Sequence, residues 1–229
     1  WLCAVPGDDL RVIATLAPEH VEREQIEQLV AAGVRVCAGH TNAGYADTTA
    51  AIEAGLSGFT HLFNAMSPLA AREPGAVGAA LDSDNCWAGI IVDGHHLHPA
   101  TVRIACRAMP AGKVFLVSDA MATVGSDEPV FELYGETITE ENGRLVNREG
   151  ALAGSAIGML DAVRIAHTEA GLRQEECLRM ASLYPARYIG LDHSLGRLAS
   201  GYRADLIHFD DRYRLLNSWV AGQHRSHSA

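Results

Sequence analysis

The chain has 229 residues, a formal net charge of −10 and 48% hydrophobic residues, which suits one large domain or one with a small appendage. An acidic total without a Lys/Arg cluster argues against a nucleic-acid surface, which needs a basic stripe. No apolar run reaches the roughly 18 residues of a membrane span. A small-molecule substrate fits these numbers better, because an acidic protein can still hold a local cationic pocket.

The five cysteines, Cys3, Cys37, Cys86, Cys106 and Cys177, are odd in number and widely spaced, with no C-x-x-C. They read as reduced core thiols of a cytoplasmic protein. The opening "WLCAVPGDDLRVIA" has acids where a signal peptide has its basic region, and it begins with Trp, so a fragment of a longer protein is expected.

In chain order, "LRVIATLAP" is a short apolar run stopped by proline. "EHVEREQIEQLVAAG" spaces Val21, Ile26, Leu29 and Val30 as a helix and ends at Gly33. "VRVCAGH" is strand-like, "ADTTAAIEAG" a short helix and "GFTHLF" strand-like again. "CWAGIIVDGHHLHP" holds a buried strand, "ATVRIACRAM" a helix and "KVFLVSDAMA" another buried strand. Five strands, near residues 12–16, 34–38, 58–62, 88–92 and 114–118, thus alternate with helices or helix-containing links. Such alternation predicts a parallel sheet buried on both faces. Polar residues gather after the strand ends: Glu19, His40, His61, Asp93, His96 and Asp119. Parallel α/β folds place their chemistry at that edge. Beyond Asp119, residues 129–150 carry turn signals at Glu-Asn-Gly and Arg-Glu-Gly and predict a β-hairpin insertion. Two amphipathic helices follow, "SAIGMLDAVRIAHTEAG" and "RQEECLRMASLYPARYIG", and residues 191–229 read as a small β unit.

Most single histidines are satisfied core or surface residues, but His40 and His61 each close a buried strand. Neighbouring strands lie about 4.8 Å apart, so the two imidazoles can reach one divalent ion. Asp119 follows the most apolar strand and either caps the next segment or faces an activated water. Arg72 in "AREPG" is a bidentate anion binder or a surface ion pair. "DGHHLHP" is a His-rich turn or part of the same polar rim. Ser155 in "GALAGSAIG" is a candidate N-cap, or marks close approach of a ligand to the backbone.

In this order, "LAPEH", "AGHTNA", "THLFNAMSP", "REPG", "IIVDGHHLHP", "LVSDAMA" and "ALAGSA" resemble the N-acetylglucosamine-6-phosphate deacetylase family of the amidohydrolase superfamily, and "GRLASGYRADLIHFD" is similar to the superfamily's closing β-segment. The resemblance covers essentially the whole chain. It implies an α/β fold, a partial (β/α)8 TIM-type barrel with strands four to eight in residues 1–190. Residues 191–229 would be C-terminal strands of a small β-sandwich unit. It implies hydrolysis of the acetamide of N-acetylglucosamine 6-phosphate to glucosamine 6-phosphate and acetate, in amino-sugar catabolism. His40 and His61 match metal ligands, and Asp119 the catalytic aspartate. Asn64, Ala65, Arg72 and His96 match substrate contacts, Arg72 at the phosphate. One or two divalent ions are implied, of zinc, iron, cobalt or manganese, and a homodimer of the full-length protein. The family's glutamate ligand in H-x-E-G-P is absent, and Glu19 does not match it. The fragment alone is therefore expected to be inactive. The alternatives are a dihydroorotase-like or adenine-deaminase-like amidohydrolase, or a truncated chain that only binds ligand. N-acetylgalactosamine 6-phosphate differs at one hydroxyl and stays open as substrate.

Overall fold

In the computed structural model, residues 2–4 and 10–227 are described. Five strands form one sheet in the order β1 to β5: β1 (Ile13–Leu16), β2 (Arg35–Ala38), β3 (Gly58–Phe59), β4 (Trp87–Ile91) and β5 (Val114–Val117). The pairings β1–β2, β2–β3 and β3–β4 are parallel, so neighbouring strands end on the same side. Burial follows the sequence pattern. Val36, Cys37 and Ala38 of β2 are buried, as are Ala88, Ile90 and Ile91 of β4. The edge strand β1 is only half covered.

Helices fill the connections: α1 (Arg23–Ala31), α2 (Tyr45–Glu53), α3 (Gly75–Asp82) and α4 (Pro99–Ala108). The Glu22 amide donates to the Gln25 side chain (3.0 Å) at the start of α1, and Gly33, with φ +85, lies just beyond its end. His98 caps α4, its Nδ1 accepting from the Ala100 amide (3.1 Å).

The chain divides into two compact units, Trp1–Ile90 with Arg103–Phe115, and Ile91–Val102 with Leu116–Ala229. In the first, Val36, Phe59, Leu62, Val77 and Ala80 are almost wholly buried. Full burial of one such Phe or Leu is worth about 1.5–3 kcal/mol. In the second, residues 130–155 build a four-stranded antiparallel meander in place of the expected hairpin. Its strands are β6 (Val130–Leu133), β7 (Glu136–Glu141), β8 (Arg144–Val146) and β9 (Leu152–Ser155). The Asn142-Gly143 turn, with φ +53 and +77, joins β7 to β8, and a second turn at Tyr134-Gly135, unmarked in the sequence reading, adds β6.

Helix α5 (Met159–Thr168) follows, with the Asp161 carboxylate accepting from the Gly158 amide (3.2 Å). The second predicted helix is two, α6 (Gln174–Ala181) and α7 (Leu183–Tyr188). Pro185 has no N–H for the carbonyl four residues back, and its ring crowds that carbonyl, so the helix breaks at Ser182. The chain ends in an antiparallel sheet of β10 (Leu206–Phe209), β11 (Leu215–Val220) and β12 (Gln223–Ser226). All five cysteines are free thiols, and Cys37, Cys86 and Cys177 are buried. Among the described residues no helix is long and apolar enough to cross a membrane.

Candidate active site

His40 lies two residues past β2, and His61 two residues past β3. The second departs from expectation, because β3 stops at Phe59 and His61 sits in the turn beyond it. Positive φ values at His61 (+35), Phe63 (+79) and Ala65 (+48) turn the chain out of the ladder. His40 (φ +49) leaves β2 in the same way. Left-handed backbone in a non-glycine residue costs about 1–3 kcal/mol and clusters at functional sites.

The two rings meet. His40 Nε2 and His61 Nε2 are 2.9 Å apart, the ring planes crossing at 75°. Their tautomers follow from the partners. His61 Nδ1 lies 3.1 Å from the Asn64 carbonyl, which can only accept, so Nδ1 carries a proton and, with the ring neutral, Nε2 is the acceptor. Nε2 of His40 then donates to it. A metal-ligating histidine is commonly fixed in this way by a carbonyl behind it. His61 is buried and His40 exposed.

The backbone beneath the pair is tightly packed. Thr15 of β1 and Thr60, the residue before His61, hydrogen-bond through their hydroxyls at 2.7 Å. Gly39 lies between them, and a Cβ there would come within 2.8 Å of Thr15 Cγ2 and 2.9 Å of Thr60 Cβ. Beyond His40, the Thr41 amide donates to the Ala65 carbonyl (3.0 Å), and the Ser67 amide to the Thr41 carbonyl (3.1 Å). The two turns therefore brace one another. Ala65 is exposed, and Asn64 donates weakly to the His61 and Leu62 carbonyls (3.3 and 3.4 Å).

Glu19 stands at the end of β1 in the turn Pro18–His20. One carboxylate oxygen accepts from the Thr41 hydroxyl, the other from the Asn42 amide (2.6 Å). Burial pushes its pKa up, but these hydrogen bonds outweigh burial and hold it below the usual carboxylate range.

Arg72 is exposed, and among the described residues no carboxylate engages it. Its neighbour Glu73 is otherwise occupied. One oxygen accepts from the Tyr45 amide (2.7 Å) and the Gly75 amide (3.1 Å), capping α2 and α3 together. Those N–H groups, Tyr45 first, hold Glu73 below the ordinary value. Gly75 is obligatory there, because its φ is +63 and a Cβ would come within 2.7 Å of the Ser67 carbonyl oxygen.

In the second unit, Asp93 organises the His-rich turn. Its Oδ1 accepts from the His95 and His96 amides (2.9 and 2.8 Å), and its Oδ2 from His96 Nδ1 (2.6 Å). Burial raises the Asp93 pKa, but the His96 side chain and the two amides overcome it and bring the carboxyl down to about 2. The D-x-x-H spacing is the sequence signal for this pairing. Of the three histidines, His96 is oriented by Asp93 and His98 caps α4. A Cβ on Gly143 would lie 3.6 Å from His95 Nε2.

Asp119 stands two residues past β5, exposed, with φ +51. Turns rather than a helix follow it, and the hydrogen bond there is from the Ser155 amide to the Asp119 carbonyl (2.8 Å). The carboxylate therefore caps no helix. Nor is Ser155 an N-cap: it is buried, its hydroxyl donates to the Ser118 carbonyl, and Gly158 occupies the cap of α5.

A parallel sheet whose strands run out into strained, polar turns, with two imidazoles facing nose to nose, defines an α/β scaffold with its polar side chains at one sheet edge. The chain belongs to the amidohydrolase family, whose model matches residues 11–226. It is 44% identical over 223 residues to an N-acetylgalactosamine-6-phosphate deacetylase of Shewanella sp. (strain ANA-3), covering 97% of this chain and 56% of the relative. It is 37% identical over 226 residues to an N-acetylglucosamine-6-phosphate deacetylase of Haemophilus influenzae, covering 97% and 58%. The crystal structure of N-acetylglucosamine-6-phosphate deacetylase from Pasteurella multocida matches with a TM-score of 0.92 at 38% identity, over 99% of this chain and 59% of that one. A Mycobacterium smegmatis deacetylase mutant in complex with N-acetyl-D-glucosamine-6-phosphate matches at 0.86 and 36%, over 93% and 57%. The chain spans little more than half the length of these relatives.

Proposed function

We propose that the protein is a metal-dependent deacetylase of N-acetylglucosamine 6-phosphate, releasing acetate and glucosamine 6-phosphate. The observation that carries this reading is the His40–His61 pair with its Nε2 atoms 2.9 Å apart and the His61 tautomer set from behind. Two nitrogens of one tetrahedral ion with bonds of about 2.05 Å lie about 3.3 Å apart, a separation reached by a few tenths of an ångström of ring movement. The donor set fits zinc, iron, cobalt or manganese. Among the described residues no group of three or more His, Cys, Asp or Glu side chains could hold an ion. A catalytic zinc site takes three protein ligands, so a further ligand is expected from the length of the relatives that this chain does not span.

A bound divalent ion supplies Lewis-acid activation of water and of the acetamide carbonyl. His61 would hold it through Nε2, and His40 through Nε2 once its ring proton resides on Nδ1. Asp119 takes a proton from the attacking water as the hydroxyl oxygen bonds to the acetyl carbon. It then delivers that proton to the nitrogen as the C–N bond breaks, so the amine leaves neutral. Arg72, which no carboxylate engages among the described residues, holds the phosphate. His96, its Nδ1 tied to Asp93, offers Nε2 to a sugar hydroxyl, and Asn64 and Ala65 line the ligand. Remote contacts of this kind turn binding energy into orientation.

The five-stranded sheet is read as strands four to eight of a (β/α)8 barrel in residues 1–190, with residues 191–229 belonging to a small β-sandwich unit and the full-length protein forming a homodimer. The names of the relatives favour this chemistry over dihydroorotase-like or adenine-deaminase-like activity. The test is acetate release by the complete protein from N-acetylglucosamine 6-phosphate and N-acetylgalactosamine 6-phosphate, with a cyclic amide and adenine as controls. Turnover on an acetylated sugar phosphate that a chelator abolishes and zinc restores is expected. Turnover confined to the controls, or indifference to the chelator, would overturn it.

A further inference from the structure

We propose that Glu19 is a positioning residue for His40. It anchors the turn that holds the His40 imidazole against His61. This rests on the proposed metal-dependent reading for its functional meaning, but the geometry stands apart from it.

Glu19 commits both carboxylate oxygens to the turn after β2. They bind the two residues that directly follow His40, the Thr41 hydroxyl and the Asn42 amide. The Thr41 hydroxyl in turn accepts from the Ala43 amide (3.0 Å), so one carboxylate ties down three successive residues. Thr41 itself is buried. The need for such an anchor is local. His40 adopts φ +49 without being glycine, a conformation that persists only where its surroundings enforce it. On its N-terminal side Gly39 is wedged between Thr15 and Thr60. On its C-terminal side the hydrogen bonds to Glu19 and to Ala65 and Ser67 hold Thr41. The clamp reaches His40 because β1 and β2 are adjacent and parallel, so the turn after β1 lies beside the turn after β2. A negatively charged acceptor makes the stronger hydrogen bond to each donor. Removing it frees the turn at its buried end.

Two measurements test this, on the purified protein and on Glu19→Ala, with unfolding curves taken for each. The first needs no metal and is a crystal structure of each protein in the metal-free state. In Glu19→Ala, His40 is expected to leave the left-handed region and its Nε2 to move out of hydrogen-bond range of His61. A ring pair still at the wild-type separation would overturn the proposal. The second is zinc affinity by competition with a chelating indicator. Glu19→Ala is expected to lose roughly 10–100-fold, the range seen for outer-shell partners of metal ligands. Glu19→Gln should recover most of that loss, since its amide oxygen can accept from Asn42 and its NH2 can donate to Thr41. An unchanged affinity in Glu19→Ala, or a loss that Glu19→Gln does not recover, would overturn it. If Glu19→Ala does not fold, Thr41→Val and Thr41→Ser decide the matter. The first removes the hydroxyl and should weaken zinc binding, the second keeps it and should not, and equal behaviour of the two counts against the clamp. His40→Ala serves as reference. Zinc binding that is insensitive to His40→Ala defeats the metal reading itself, and Glu19 is then judged on the metal-free structures.

Discussion

Gly39→Ala tests how the histidine turns are brought together. The added Cβ would stand 2.8 Å from Thr15 Cγ2 and 2.9 Å from Thr60 Cβ, well inside the roughly 3.5–4.0 Å of carbon atoms in contact. Neither neighbour gives way easily. Both are β-branched and stiff about χ1, and their hydroxyls are bonded to each other. Overpacking a buried position costs about 1–3 kcal/mol, and losing the hydroxyl pair adds about 1 kcal/mol. A total near 2–4 kcal/mol lowers Tm by roughly 5–15 °C in a protein of this size. Circular dichroism during heating reads that shift. The cause is then isolated with Thr15→Ser, which keeps the hydroxyl and deletes the offending methyl. In the Gly39→Ala background it should recover part of the lost stability, the contact with Thr60 Cβ remaining, against a small loss on its own, giving a coupling above about 0.5 kcal/mol. A Gly39→Ala protein within about 0.5 kcal/mol of wild type, or strict additivity of the two changes, would refute the steric reasoning.

In the complete protein, Asp119→Asn should bind zinc normally while kcat falls by about 10²–10⁴, the contribution of a positioned acid–base; a metal-loaded variant with most of its rate would sink the proton-transfer role. Arg72→Ala should raise KM for the 6-phosphate substrate and leave unphosphorylated N-acetylglucosamine nearly unaffected, the signature of lost uniform binding; equal losses on both would make Arg72 structural. Asp93, held at about 2 against an ordinary 3.8, contributes stability that is present above its unfolded pKa and is lost as pH falls through its folded one. Urea midpoints should therefore drop between about pH 4 and pH 2 by the equivalent of about 2 kcal/mol. Asp93→Asn should flatten that acid limb, and an unchanged limb would mean the carboxylate is not held by His96 and its amides.

Much of the frame was legible in the sequence because it depends on local periodicity. The short apolar runs, the 3.6-residue spacing of α1 and the glycine after it identify strands and helices without reference to anything distant. The same runs point to the turns after the strands, and so to His40, His61 and Asp119. The boundaries were less legible. β3 shrank to two residues because His61 and Phe63 take left-handed backbone, and the predicted hairpin became a meander because Tyr134-Gly135 makes a turn that composition does not announce. The second long helix broke at Ser182, where Pro185 carried the signal all along.

What the sequence by itself determined was the order of strands and helices, the family motifs and the residue types offered after each strand. Only the tertiary structure decided which of those side chains touch. Parallel pairing set the turn after β2 beside those after β1 and β3, and that adjacency joined Glu19 to Thr41, Thr15 to Thr60 and His40 to His61, residues 21 to 45 positions apart. It also spent the Glu73 carboxylate on two helix ends, and among the described residues no carboxylate engages Arg72. Periodicity along a chain cannot encode such pairings, because a hydrogen bond is fixed by distance and direction between groups that only folding brings together.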